Sequence, residues 1–472
     1  MIKSVPWHCS RILEAVRGEL LYGDAERLFA GISIDSRTLS LGDLFVAIKG
    51  QNYDGHDFIA DAVESGAAGL LVSRSDIAGD RYKRWARKGL VCLAVENTIE
   101  ALGDIASLNR KRTGVSVVAI TGSNGKTTTK EMTASVLSRR FDTIATKGNY
   151  NNEIGLPLTM FRIAASHKWA VLELGMNRPG EIGRLAGICR PDIGVITNIG
   201  TAHLEGFDSI EGIARAKGEL LEHIENNGTA VLNADDPRLV GLAGKTQKDL
   251  LLFGFYENAG VRAQNIKQEA FGLSFSLLLP GESVFVNLKA HSPVFVSNAL
   301  AAAAAGHLAG LNAGEIKSGL EDFQPVEGRM NIMKTRRGFH IIDDTYNANL
   351  CSMKAAINAL KYLKGQGRGI FVAGDMFELG KDAGLIHQEI GALAAISDIS
   401  RLYITGAFSD DVAKGAQGKG LKSGKILSGT KEAILDDLTN RIKPGDWVLV
   451  KGSRAMCMED IVKGLKKRGN VD

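Results

Sequence analysis

The feature that most constrains this chain is an eight-residue run, Thr121-Gly122-Ser123-Asn124-Gly125-Lys126-Thr127-Thr128. It follows a β-rich stretch, Val115–Ile120, and opens a helical pattern running through Glu131, Met132 and Leu137. A loop in that setting offers what a phosphate chain needs: close backbone N–H groups, the positive end of a helix, a cation, and a hydroxyl for a metal ion. Gly122 and Gly125 permit the close approach, and Lys126 and Thr127 supply the cation and the hydroxyl. Ile120 stands where a strict GxxxxGK[ST] pattern has glycine, so the loop is a variant P-loop. The bland reading, a glycine-rich turn ahead of a helix, has to explain strand, loop, Lys-Thr pair and helix together.

At 472 residues the chain exceeds one hydrophobic core, and about three domains are expected. Short β-rich runs alternate with helical patterns, which points to α/β layers. Strands are expected at Val115–Ile120, Ala170–Leu174, Ile193–Thr197 and Thr229–Leu232. A second series is expected at Phe339–Ile342, Gly369–Val372, Arg401–Ile404 and Asp446–Val450. One cut falls near Asn97, between the strand-like Val91–Val95 and a helix over Ile99–Arg110. The other falls near Pro325, a helix breaker ahead of a turn at Gly328. The expected units are 1–97, 98–325 and 326–472. Strands of the last series end in small or polar clusters: Asp343-Asp344, Gly374-Asp375, Thr405-Gly406 and Lys451-Gly452-Ser453. Ligands of open α/β sheets gather at such ends, so a working rim is expected there.

Charge is nearly balanced, with 57 basic and 53 acidic residues, so nothing demands a nucleic-acid partner. Five scattered cysteines without CxxC spacing argue for a reducing compartment and against a disulfide framework or zinc site. Met1–Ser10 has no basic flank leading into an apolar stretch, so no secretion signal is expected. The most apolar region, Val294–Leu311, is broken by Ser297, Asn298 and His307 and falls short of the roughly 20 apolar residues of a membrane span. It is expected to be a core helix of a cytoplasmic protein with no membrane span.

Further candidates lie at strand ends. Glu173, in Val171-Leu172-Glu173-Leu174-Gly175, is a carboxylate closing an apolar strand, costly to bury unpaired. Magnesium favours carboxylate, phosphate and water oxygens, so Glu173 and Thr127 are candidate metal ligands; a structural salt bridge is the alternative. His203 follows another strand and is either a ligand or a packed side chain. Lys217, in Ala216-Lys217-Gly218-Glu219, reads by default as a solvated helix face. Asn298 opens an alanine run, Arg329 follows a glycine, and Asp343-Asp344 closes a strand. Arg329 or Asp344 alone is consistent with a turn or surface charge, but paired aspartates after an apolar strand are expensive unless something binds there.

Taken in order, these segments resemble the Mur ligase family, and the resemblance spans nearly the whole chain. It rests on Ile34-Asp35-Ser36-Arg37, Asp54-Gly55-His56, the Thr121–Thr128 loop, Asn149–Pro157, Glu173–Asn177 and Thr201-Ala202-His203-Leu204-Glu205. It continues through Asn233-Ala234-Asp235-Asp236, Asp344-Thr345-Tyr346-Asn347-Ala348-Asn349, Gly374–Gly380 and Lys451-Gly452-Ser453-Arg454. One departure is Leu350, where the family usually has proline. The resemblance implies an α/β enzyme of three domains: a UDP-binding first domain, a P-loop ATPase-like central domain and a Rossmann-like last domain. It implies a monomer that uses ATP and Mg2+ to join D-alanyl-D-alanine to UDP-N-acetylmuramoyl-tripeptide through an acyl phosphate, in the synthesis of a peptidoglycan precursor. Carried over by position, Gly122, Ser123, Asn124, Gly125, Lys126, Thr127, Thr128, Asn298, Arg329 and Asp344 would meet ATP, the last two on domain closure. Thr127, Glu173, His203 and a carbamylated Lys217 would serve the metal ions, with Lys126, Lys217 and His203 the catalytic set. Ser36 and Arg37 would lie by the uridine nucleotide, and Asp375, Ser453 and Arg454 on the dipeptide side. Rival expectations are a sister Mur ligase, a folylpolyglutamate-type synthase, or a P-loop ATPase without ligase activity.

Overall fold

The computed structural model describes residues 6–50, 52–76, 89–200, 207, 209–269 and 272–469. The strands read from the sequence all form, with ends shifted by a residue or two. They belong to three open sheets, one in each of three successive α/β units.

The middle sheet has nine strands. Its parallel part runs, edge to centre and beyond, through Thr143–Ala145, Trp169–Glu173, Ser116–Thr121, Ile193–Ile196, Thr229–Asn233 and Asp249–Gly254. Strand residues alternate between faces, and both faces of this sheet are covered, so each strand feeds two cores. Val118 and Ile120 join one core with Met132 and Val136 of the helix Lys126–Leu137 and with the helix Pro293–Leu308. Val117 and Ala119 join the other, with helices Gly155–Phe161, Glu181–Cys189 and Ile210–Glu222. At roughly 1.5–3 kcal/mol for each large side chain fully buried, this double coverage dominates the stability of the unit. Strands Val261–Glu269, Gly272–Leu279 and Glu282–Leu288 extend the sheet, the last two antiparallel, and were not evident in the sequence pattern.

The apolar stretch around Val294 is a buried helix, Pro293–Leu308, as its composition predicts. Apolar on nearly every side, it belongs inside the unit rather than on its surface. Asn298 is the polar residue it buries, and it faces the Thr121–Thr128 loop. No helix among the described residues is long and apolar enough to cross a membrane.

In the first unit, five strands run in the order Glu19–Tyr22, Val91–Val95, Gly69–Ser73, Leu44–Val46 and Ile32–Ser33. The helix Thr98–Thr113 starts at Asn97, whose side chain accepts hydrogen bonds from the backbone of Ile99 and Glu100. It buries Ala101, Leu102 and Ile105 in the first unit and Ala106 in the second, holding the two together.

The third unit has six strands, ordered Asn331–Lys334, His340–Asp344, Trp447–Lys451, Gly369–Gly374, Arg401–Thr405 and Ile426–Ser428, parallel after the first. Its first long helix, Leu350–Lys364, begins just beyond the carboxyl end of His340–Asp344. Asn349 caps that helix in extended geometry, φ −144° and ψ 169°, with Ser352 completing a capping box. Leu350 therefore occupies the first helical position, where a proline loses no hydrogen bond and the residue before it is already extended. Leu350→Pro should change stability by less than about 1 kcal/mol, because restricting the unfolded chain offsets the lost leucine packing. Asn358→Pro, inside the same helix, should cost about 3 kcal/mol or more. Urea unfolding of both variants measures the contrast, and equal destabilisation would place the helix start elsewhere.

Candidate functional site

A cleft of about 1690 Å³ runs between the units and is lined from all three, including Lys49 of the first, the Ser123–Lys126 loop of the second and Asp344, Lys451 and Arg454 of the third. The loop sits beside the carboxyl end of Ser116–Thr121, where the chain first crosses to one side of the sheet and later returns on the other. Such a switch point opens a crevice for ligand.

Two glycines allow the loop its shape. Gly122 has φ +149°, and a Cβ there would lie 1.9 Å from Thr197 Oγ1. Gly125 has φ +80°, and a Cβ there would lie 2.4 Å from Asn298 Oδ1. Side chains at either position are excluded by backbone and by space. Ser123 donates to the Gly200 carbonyl at 3.0 Å, and Asn124 N–H donates to Asn198 Oδ1 at 3.0 Å, so the following strand's loop braces the first.

Lys126 folds back to donate to the Gly122 carbonyl at 2.8 Å. Burial pushes its pKa below the usual lysine value, Glu173 opposes that shift, and Arg329 adds to it. Thr128 lines the cleft, and Thr127 is buried with its hydroxyl accepting from Arg329 at 2.8 Å. Glu173 is 2% exposed; its Oε1 accepts from Asn151 at 2.9 Å, and its Oε2 is buried without a hydrogen-bond partner. Among the described residues Glu173 forms no salt bridge, the alternative expected for it. An orphaned carboxylate oxygen costs about 1–3 kcal/mol or more, which suits a position awaiting a cation. Among the described residues there is no cluster of three His, Cys, Asp or Glu side chains that would hold a metal alone.

Lys217 corrects the default reading of a solvated helix face, being only 2% exposed. On the helix Ile210–Glu222 it shares the buried stripe of Ile213, Ala216 and Leu220, positions a helical turn apart. Its pKa lies well below the ordinary lysine value because of burial first and repulsion by Lys126 second. His203 lies outside the described residues, with the rest of Thr201–Glu205.

The third unit lies directly over the loop. Arg329 stacks on Tyr346, 4.0 Å from the ring centroid, while reaching Thr127. Asp344 is held by Lys451 at 2.6 Å and by Met330 N–H at 3.1 Å. Ser453 accepts from Phe377 N–H at 2.9 Å, and Arg454 pairs with Glu459 at 2.9 Å on the cleft rim. Asn349, not singled out as a site residue from sequence, donates to Asn124 Oδ1 at 2.9 Å.

Three candidates sit apart from this cleft. Asp375 is buried, its carboxylate accepting from the Ala407 and Phe408 backbone at 2.7 and 3.2 Å, so it fastens the Gly406 turn. Ser36 is buried in the first unit, and Arg37 is exposed, bonded to Asp35 at 2.7 and 2.9 Å. Among the described residues, Lys49 and Gly50 are what the first unit brings to the cleft. Of the four expected rim clusters, those at Asp344 and Lys451–Ser453 face it.

A phosphate-type loop at a switch point, covered by a second open sheet, defines a three-unit P-loop α/β protein. The chain belongs to the Mur ligase family: residues 28–110 match the Mur ligase family catalytic domain, 120–306 the Mur ligase middle domain, and 328–454 the Mur ligase glutamate ligase domain. It is 36% identical over 465 residues, 98% of each chain, to the UDP-N-acetylmuramoyl-tripeptide–D-alanyl-D-alanine ligase of Escherichia coli. A crystal structure of MurF from Acinetobacter baumannii superposes with a TM-score of 0.88 at 32% identity, covering 99% of this chain and 100% of that one. The MurF ligase of Thermotoga maritima in complex with ADP superposes at 0.82 with 30% identity, covering 93% and 98%.

Proposed function

We propose that the protein is an ATP-dependent ligase that joins D-alanyl-D-alanine to UDP-N-acetylmuramoyl-tripeptide in the cytoplasm, in the synthesis of a peptidoglycan precursor. The observation that carries this reading is the cleft itself. It sets a partly buried lysine and an orphaned carboxylate beside a phosphate-type loop, in a chain 36% identical over 98% of its length to such a ligase. The working division is 1–97 for the UDP-substrate, 98–325 for ATP and 326–472 for the dipeptide, in a monomer.

A carboxylate is a poor electrophile, so its oxygen must first become part of a leaving group. The tripeptide's terminal carboxylate attacks the γ-phosphorus of ATP, releasing ADP and leaving an acyl phosphate. The dipeptide's neutral amine then attacks the acyl carbon, a proton departs from nitrogen, and inorganic phosphate leaves. Loop amides from Gly122 to Thr128 and the Lys126 ammonium hold the β- and γ-phosphates and offset the charge that builds on them. Asn298 faces the adenine, and Arg329 and Asp344 meet the nucleotide from the third unit. Thr127 and Glu173 would hold one Mg2+ ion, and His203 with a carbamylated Lys217 would hold a second; such ions would screen phosphate charge. Ser453 and Arg454 belong to the dipeptide side. Asp375 supports that side through the Gly406 turn, and Ser36 and Arg37 belong to the nucleotide end of the UDP-substrate. Covering the cleft keeps water from the acyl phosphate.

Phosphate release from purified protein with ATP and Mg2+ is the test, with D-alanyl-D-alanine and the UDP-tripeptide added singly and together. Turnover should require both. Turnover with another amino acid in place of the dipeptide would indicate a sister ligase, and turnover indifferent to both would indicate an ATPase without ligase activity.

A further inference from the structure

Between described residues, two hydrogen bonds join the second unit to the third, and both end on the phosphate-type loop or its helix. One is Arg329 to Thr127 at 2.8 Å; the other is Asn349 Nδ2 to Asn124 Oδ1 at 2.9 Å. The two differ in what nucleotide would do to them. Thr127 Oγ1 and the Arg329 guanidinium are both claimed by ligand in the reading above, so that contact has to rearrange. Ligand is assigned above to the loop backbone, Asn124 included, but to neither side-chain amide of the Asn349–Asn124 pair.

The Asn349 amide is used at both ends. Its Oδ1 accepts from Ser352 N–H at 2.9 Å and caps the helix Leu350–Lys364. Because that partner is a donor, the oxygen must face it, and the NH2 group must face away, toward Asn124. Asn124 is itself fixed: its N–H donates to Asn198, and its carbonyl accepts from Thr197 Oγ1 at 2.6 Å and Asn198 Nδ2 at 3.0 Å. The segment before the cap is anchored too, with Lys451 donating to the Asn347 carbonyl at 2.9 Å. A rigid helix start thus meets a rigid loop through two short side chains, one from each.

We propose that Asn349 is a positioning residue that registers the third unit on the phosphate loop, so that Arg329 and Asp344 arrive in line with bound phosphates. Its catalytic consequence rests on the ligase reading above, whereas the docking contact itself does not. Asn349 touches no substrate in this role. Its loss lowers the fraction of molecules in the aligned state and leaves the loop, Lys126 and Asn298 in place.

Asn349→Ser separates the two ends of the amide, since serine caps a helix about as well as asparagine but is too short to reach Asn124. The variant should unfold at the parent's urea midpoint and lose about 2- to 10-fold in kcat, the range of one neutral hydrogen bond. KM for ATP should change less than about 2-fold. Asn124→Ala leaves the helix cap untouched and should lose at least as much; adding Asn349→Ser to it should lose nothing further. Parent-like kcat in the serine variant, losses that multiply in the double variant, or a loss carried wholly by KM would each overturn the proposal. Small-angle scattering without substrates reads docking independently of turnover, and a larger radius of gyration is expected for Asn349→Ser. Parent-like dimensions would overturn the docking role even with an inactive parent, whereas a parent inactive with both substrates defeats the ligase reading alone.

Discussion

Replacing Lys126 by methionine should lower turnover at least ~10²-fold, the scale of removing one donor aimed at developing charge, while leaving the protein at least as stable as before. The pairing of the two outcomes follows from where the lysine sits. It opens a helix, where the aligned peptide dipoles disfavour a cation. Burial lowers its pKa, and Arg329 repels it. Against these stand one hydrogen bond to the Gly122 carbonyl and the attraction of Glu173. A charged side chain here is therefore poorly compensated in the folded protein, and a methionine of similar volume removes that cost. The expected sign is thus opposite for stability and for activity, as for other groups kept for function. Phosphate release at saturating substrate measures the first effect and urea unfolding the second. Near-normal turnover would mean that the phosphates lie elsewhere; a marked loss of stability with the loss of turnover would mean that Lys126 is a structural residue.

The loop was legible in the sequence because everything that defines it is local: two glycines, a lysine, a threonine and the strand and helix on either side. The long apolar helix was legible for a similar reason, since composition alone placed it inside. Contacts made across the fold were not. Asp375 closes an expected strand and has the right chemistry for a rim, yet its two oxygens are taken by amides at residues 407 and 408, more than thirty positions away. Asn349 stands in a conspicuous stretch, but only the folded chain shows that its free NH2 group meets Asn124. The strands between residues 261 and 288 carry a mixed pattern, with Val261–Glu269 largely exposed along its second half, so no clean alternation marked them. Lys217 is different, because the signal was present: Ile213, Ala216, Lys217 and Leu220 share one face at helical spacing, and that face turned out to be buried. A lysine on an apolar stripe was outweighed by the ordinary expectation that lysines are solvated.

That buried stripe leads to the second large effect. Lys217→Ala should reduce turnover by at least ~10²-fold, and short carboxylic acids such as acetate should restore part of it. An unmodified ammonium at this position is unfavourable: among the described residues the forces on it are burial and the Lys126 cation, with no carboxylate to balance them. Both favour the neutral amine, and a neutral amine is the form that adds to carbon dioxide, giving a carbamate and releasing a proton. The product reverses the charge, so repulsion by Lys126 becomes attraction, and the proposed phosphate and metal site would gain an anionic ligand. Alanine removes the ligand and leaves room for a free carboxylate in its place. The variant is measured by phosphate release with and without added acid, and the parent by 13C NMR after equilibration with labelled bicarbonate. A fully active alanine variant would remove the carbamate from the mechanism. Loss of activity without rescue, together with no labelled carbon on the parent, would instead make Lys217 a buried amine that shapes the site uncharged.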